Sequence, residues 1–170
     1  MRNLPDTYST KPPQNGEGTT TMPANAAIYI QQGSGDLATV FDGVKSDKGL
    51  LRSTATRYDV PLGGETVRFN VMDAKAVPAH VQGFLGYIAS LDQDEARKRD
   101  TAHAISHTTV VLGLATEREF EENPAIWPAL FRIADAFDGF VFAFGSVLLP
   151  NGAVLVGPLL NEEEEDAPGH

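Results

Sequence analysis

The chain has 170 residues, 42% of them hydrophobic, which suits one compact domain able to bury roughly 70% of the surface its unfolded form exposes. It contains no cysteine, which excludes disulfides, thiolate zinc or iron–sulfur sites and any cysteine nucleophile. The net charge is −10; five of the acids stand in the run Glu162–Asp166, and without them 18 acids against 13 bases leave −5. The only dense basic run is Arg97-Lys98-Arg99, too little to displace counterions from a polyanion, so nucleic acid is not expected as a partner.

Residues 1–24 carry Pro5, Pro12, Pro13 and Pro23 among Thr, Asn, Gly and Ser, without apolar periodicity, and are expected to form a flexible arm. Ala26 to Ile30 predicts a short strand. Gly33-Ser34-Gly35 follows as a turn, and Asp36 caps a brief helix using Leu37, Val40, Phe41 and Val44. Amides at such a turn can bind anions, but the phosphate-loop and dinucleotide fingerprints are missing, which leaves a plain turn and no implied cofactor. Short runs at Gly49-Leu50-Leu51, Thr54–Tyr58 and Thr66–Val71 follow. Pro61-Leu62-Gly63-Gly64 separates the last two, which predicts an antiparallel pair with Val67, Phe69 and Val71 on the core face.

Two helices come next. Val77, Val81, Phe84, Leu85, Ile88 and Leu91 have helical spacing, and Gly83 and Gly86 form a slim patch on which another element could pack. The second helix opens at Asp92, with Glu95 three residues on as a capping box, and runs to about His107. Thr109 to Ala115 is then a nearly continuous apolar run, the signature of an interior strand. Asn123 caps a helix with Pro124 in its first turn, apolar residues at Ile126, Leu130, Ile133, Ala134 and Phe137, and Gly139 as left-handed terminator. Phe140, Phe142 and Phe144 alternate with Val141 and Ala143 in the next strand. Pro150-Asn151-Gly152 then closes a hairpin between Val147–Leu149 and Ala153–Val156. The longest apolar run, Phe140 to Pro150, falls short of the about 20 residues of a membrane helix. Residues 161–170 read as a disordered acidic tail. Met1 to Asp6 lacks the apolar stretch of a secretory signal, so the expected location is the cytoplasm.

Four candidate sites follow from these elements. His103 and His107, at i and i+4 on one helix, can share a metal ion, with Asp100 one turn earlier and His80 of the preceding helix as further ligands. Ala104 stands where a zinc-protease helix carries its glutamate base, and a cationic or donor side chain at His107 also suits a helix end, so no metal site is assigned. Ser34 and Ser146 lack the Gly-x-Ser-x-Gly elbow of a hydrolase. Glu117 to Glu122 gathers paired carboxylates just after the central strand, where ligands of open α/β sheets bind; they either serve acid/base chemistry there or keep the loop before a helix solvated, and Glu119, Glu121 and Glu122 also offer a charged surface. Trp127, the only tryptophan, reads as core packing unless exposed, in which case it marks an interface.

The run Ile105-Ser106-His107-Thr108-Thr109-Val110-Val111-Leu112-Gly113, then Glu117, Phe120 and Ala136-Phe137-Asp138-Gly139-Phe140-Val141-Phe142, resembles the C-terminal part of uncharacterised bacterial domains of the actinobacterial type. In these soluble α/β domains a Val-Leu-Gly strand, a helix and an Asp-Gly-x-x-Phe strand precede a hairpin. The resemblance covers about residues 76–158 and implies a small α/β domain from a bacterium or its phage, with no activity attached.

The expected architecture is one α+β or α/β domain over residues 25–160, with a mixed, partly parallel sheet, about four helices and a C-terminal β-hairpin. No complete catalytic constellation is present. The leading expectation is therefore a non-enzymatic accessory or immunity-type protein that binds another, basic, protein through an acidic surface including Glu119, Glu121 and Glu122 and the Gly83/Gly86 helix. Alternatives are a small metal-dependent or acid/base enzyme using His80, Asp100, His103, His107 or the Glu117–Glu122 loop, and a structural subunit whose arm orders on a neighbour.

Overall fold

The computed structural model describes residues 26–48, 55–116 and 119–161. The arm expected over residues 1–24, the run Gly49–Thr54, Glu117-Arg118 and the tail from Glu162 onward lie outside them. The described strands are β1 (Ala26–Ile30), β2 (Lys45–Lys48), β3 (Ala55–Leu62), β4 (Glu65–Val71), β5 (Val110–Ala115), β6 (Phe140–Ala143), β7 (Ser146–Leu148) and β8 (Val154–Val156). The helices are α1 (Val77–Ser90), α2 (Glu95–Ile105) and α3 (Ile126–Ala136), with a further helical turn over 158–161 that includes Asn161. This is an α+β protein. Among the described residues no helix is long and apolar enough to cross a membrane.

The strands form one sheet in the order β2-β3-β4-β5-β1-β6-β7-β8, and every adjacent pair is antiparallel. The expected parallel component is therefore absent among the described strands, for two topological reasons. Between β4 and β5 the chain makes a helical hairpin, α1–α2, which returns it to the end of the sheet it left; a single helix would have delivered a parallel neighbour. Between β5 and β6 there is one long helix, α3, and these two strands do run in the same direction. β1 lies between them, antiparallel to both, and removes the parallel contact.

Alternation along the strands divides the core in two. On one face Ile28, Ile30, Val60, Val67, Phe69, Leu112, Leu114 and Val141 pack beneath α3, which buries Ile126, Leu130, Ile133 and Ala134 against them. On the other face Tyr29, Val111, Val147 and Val156 meet Val77, Val81, Phe84 and Ile88 of α1 and Ile105 of α2. β5 contributes large side chains to both, as expected of an interior strand.

Helix ends depart from expectation by small steps with clear causes. The side chain of Asp94, rather than Asp92, caps α2 by accepting from the amide of Arg97 at 2.9 Å. The helix expected after Asp36 shortens to a 3-10 turn, Leu37–Thr39. α1 ends on a buried cation, since Lys98 Nζ donates to the carbonyls of Ala89 and Leu91 (3.0 and 2.8 Å) while pairing with Glu95. At the end of α3 the left-handed residue is Asp138 (φ 53°), not Gly139, and the Gly139 amide donates to Ala134 O at 2.8 Å, a Schellman closure. Gly139 is required for another reason: a Cβ there would lie 2.6 Å from the carbonyl oxygen of Tyr29 in β1.

The two sheet edges differ. Gln93 brackets Gly157 through both amide atoms and Arg97 donates to Leu155 O, so α2 covers the β8 edge. β2 reads Lys-Ser-Asp-Lys, is exposed throughout, and carries the charges that discourage edge-to-edge pairing.

Candidate interaction site

β6 and β7 are joined by the two residues Phe144 and Gly145, between the paired residues Ala143 and Ser146. Both have positive φ, 51° and 75°, the pattern of a type I′ turn. That turn normally selects Asn-Gly or Asp-Gly, because a short polar side chain tolerates the left-handed region and a bulky one is strained there. Phe144 is nevertheless the first turn residue. It is the large apolar side chain most open to solvent among the described residues, at 47% exposed. The turn is fixed from behind by Tyr87, whose hydroxyl donates to Gly145 O at 2.6 Å.

The Phe144 ring rests on two others. Phe120 is buried, with its centroid 5.4 Å away at 69°, and Trp127 lies 5.9 Å away at 38°. Trp127 also meets Phe120 edge-on at 5.1 Å and stacks on Phe131 at 5.4 Å and 17°. The tryptophan is half-buried, so it both packs and contributes to the rim. Phe120 sits in the 3-10 turn Phe120–Glu122, and in the chain it is flanked by the exposed carboxylates of Glu119, Glu121 and Glu122. The buried ring beneath Phe144 thus stands next in the chain to exposed negative charge.

Asn123 holds this wall in place. Its side chain is buried and fully used: Nδ2 donates to Leu62 O at 3.1 Å and to Glu65 Oε2 at 2.7 Å, and Oδ1 accepts from the Ala125 amide at 3.1 Å. The capping expected of Asn123 is thus shifted: α3 itself begins at Ile126, and Asn123 caps the turn that enters it through the Ala125 amide while its Nδ2 ties the β3–β4 turn to the same segment. Gly63 in that turn must lack a side chain because a Cβ would collide with Asn123 Oδ1.

The other sequence candidates do not converge. His103 and His107 are exposed, with ring centroids 4.9 Å apart at 83°, and His107 Nδ1 donates to the carbonyl oxygen of His103 at 3.0 Å, which satisfies the end of α2. His80 lies elsewhere, its Nε2 2.9 Å from the hydroxyl of Tyr29. Asp100 is exposed, and among the described residues no three His, Asp or Glu side chains gather as metal ligands. Gly83 and Gly86 point away from the buried stripe of α1. No atom of the described residues approaches their Cβ positions within 4 Å, so among those residues the expected packing patch has no partner. Ser146 is buried and its Oγ accepts from the Leu159 amide; Ser34 Oγ accepts from the Asp36 amide.

Sequence reasoning placed Phe144 in the strand alternation of Phe140 and Phe142. β6 stops at Ala143, and the available signal was the Phe-Gly pair between two apolar runs, a two-residue hairpin spacing hidden by the wrong first residue. Comparison with known proteins gives no match: no family model, no curated protein and no solved structure is matched by this chain.

Proposed function

We propose that this protein is a non-enzymatic binding module that docks a basic protein partner on the Phe144–Trp127–Phe120 surface. The observation that carries the reading is Phe144 itself: a bulky aromatic kept half exposed at a left-handed turn position, where the backbone favours a smaller residue and the packing of the ring only offsets that strain. Aromatic anchors surrounded by polar rims are the usual centres of binding energy. The charge of −10 and the flanking Glu119, Glu121 and Glu122 favour a segment in which an apolar anchor stands between lysines or arginines.

Trp127 makes the test direct, since it is the only tryptophan and lies within the surface. Peptides selected from a displayed random library would be synthesised and titrated while Trp127 emission is read. The reading predicts selected sequences with a basic-apolar pattern, a loss on Phe144→Ala of about 2 kcal/mol, or roughly 30-fold, and a smaller loss on joint Glu119→Gln, Glu121→Gln, Glu122→Gln that shrinks as salt is raised. Peptides without charge bias that bind the Phe144→Ala variant equally well would refute it.

A further inference from the structure

The face of the sheet beneath α1 contains a cleft of about 420 Å³, lined by residues from β1, β4, β5, β6 and α1. Its floor is one row of registered positions across four strands: Asn70 opposite Gly113, Gly113 opposite Ala27, Ala27 opposite Phe142. Elsewhere on this face, Tyr29 and Val111 of the same strands carry large side chains into the core. The space therefore comes from Gly113 and Ala27.

Gly113 lies inside the interior strand β5, where glycine is disfavoured because it adds backbone entropy and no packing. Its backbone does not need it, since it is absent from the positive-φ glycines among the described residues. Nor does packing need it: a Cβ at 113 would meet nothing within 4 Å. Among the described residues the two internal reasons for a strand glycine are thus missing, and the remaining one is room for a ligand.

The walls define what fits. Phe142 and Tyr29 present aromatic surface, ordered through Phe84, which stacks on Tyr29 at 4.6 Å and meets Phe142 edge-on at 4.8 Å. Met72 adds a polarisable thioether. At the α1 side the Tyr29 hydroxyl and His80 Nε2 form a hydrogen-bonded pair, and Asn70 offers an exposed amide at the β4 side. Among the described residues no Asp, Glu, Lys or Arg lines the cleft, so a charged ligand would lose hydration without gaining a counter-ion from them. We infer that this cleft is a binding site for a neutral, planar aromatic small molecule bearing a hydrogen-bonding group, seated on the bare strand backbone at Gly113 and Ala27 and oriented by His80 and Asn70. Its volume falls in the range of small-molecule sites, and it is independent of the Phe144 surface, whose Phe120 and Trp127 belong to the core on the opposite face.

The test uses the full chain and 2-naphthol as probe, followed by amide chemical shifts. The expected result is saturable shifts centred on Ala27, Asn70, Gly113 and His80, with a dissociation constant on the order of 0.1–1 mM for so small a ligand. Gly113→Val should abolish these shifts while leaving the melting temperature unchanged or higher, because valine suits a strand and the space for its Cβ exists. His80→Ala, at an exposed position, should weaken binding several-fold and provides a second variant with no packing change in the floor. The inference fails if 2-naphthol causes no saturable shift, if shifts centre instead on Trp127 and Phe144, or if Gly113→Val binds as well as the unaltered chain.

Discussion

Among the described residues, two turns place a non-glycine residue in the left-handed region immediately before a glycine: Asp138-Gly139 at the end of α3 and Phe144-Gly145 between β6 and β7. At the first, local physics accounts for everything. Aspartate is short enough for a positive φ, the turn closes a helix through the Gly139 amide, and Gly139 is dictated by the carbonyl of Tyr29. At the second, local physics favours a different residue. A phenylalanine in the left-handed region is strained by about 1 kcal/mol or more, and its half-exposed ring recovers only about half of what full burial of such a side chain gives, roughly 1 kcal/mol. The two terms nearly cancel. Stability alone therefore gives Phe144 no advantage over asparagine, and that separates a turn explained by folding from one that folding leaves unexplained.

The comparison predicts effects of very different size. Largest is Gly139→Ala, where backbone meets backbone and no flexible side chain can yield; denaturant unfolding should show a loss of about 3 kcal/mol or more. An effect below about 1 kcal/mol would mean that α3 and β1 separate easily, and that the Asp138 turn is less determined than argued. Next is Asn123→Ala, which strands a buried carbonyl and a carboxylate contact and frees the wall beneath Phe144. The expected loss is about 2–3 kcal/mol, with weakened peptide binding alongside. Smaller still is Asp138: replacement by glycine should change stability by only a few tenths of a kcal/mol, whereas alanine, which lacks the side chain that tolerates this conformation, should cost about 1 kcal/mol.

Much of the fold is legible in the sequence where a pattern is local. β1, the β3–β4 hairpin, α1, α3 and the β7–β8 hairpin follow from periodicity and turn residues, and Thr109–Ala115 reads correctly as interior because Val111, Leu112 and Leu114 serve two cores. What escapes is non-local or lacks apolar pattern. β2 has no hydrophobic alternation because it is an edge strand exposed on both faces. Strand direction escapes because it depends on β1 inserting between β5 and β6, a pairing of Ala26 with Leu114 and Ala143 that no local signal encodes. The candidate surface is half legible: Glu119, Glu121, Glu122 and Trp127 stand out by type, but Phe144 imitates the strand before it. The Tyr29–His80 contact joins positions 51 apart in the chain and leaves no local trace.

The central claim is that Phe144 is retained for binding rather than for folding, and Phe144→Asn tests it most directly. Thermal unfolding and peptide titration would be run on the same preparation. The account predicts a melting temperature equal to that of the unaltered chain or a few degrees above it, together with a roughly 30-fold loss of peptide affinity. A melting temperature lower by many degrees with affinity intact would contradict it, and would make Phe144 a packing residue like the others in its cluster.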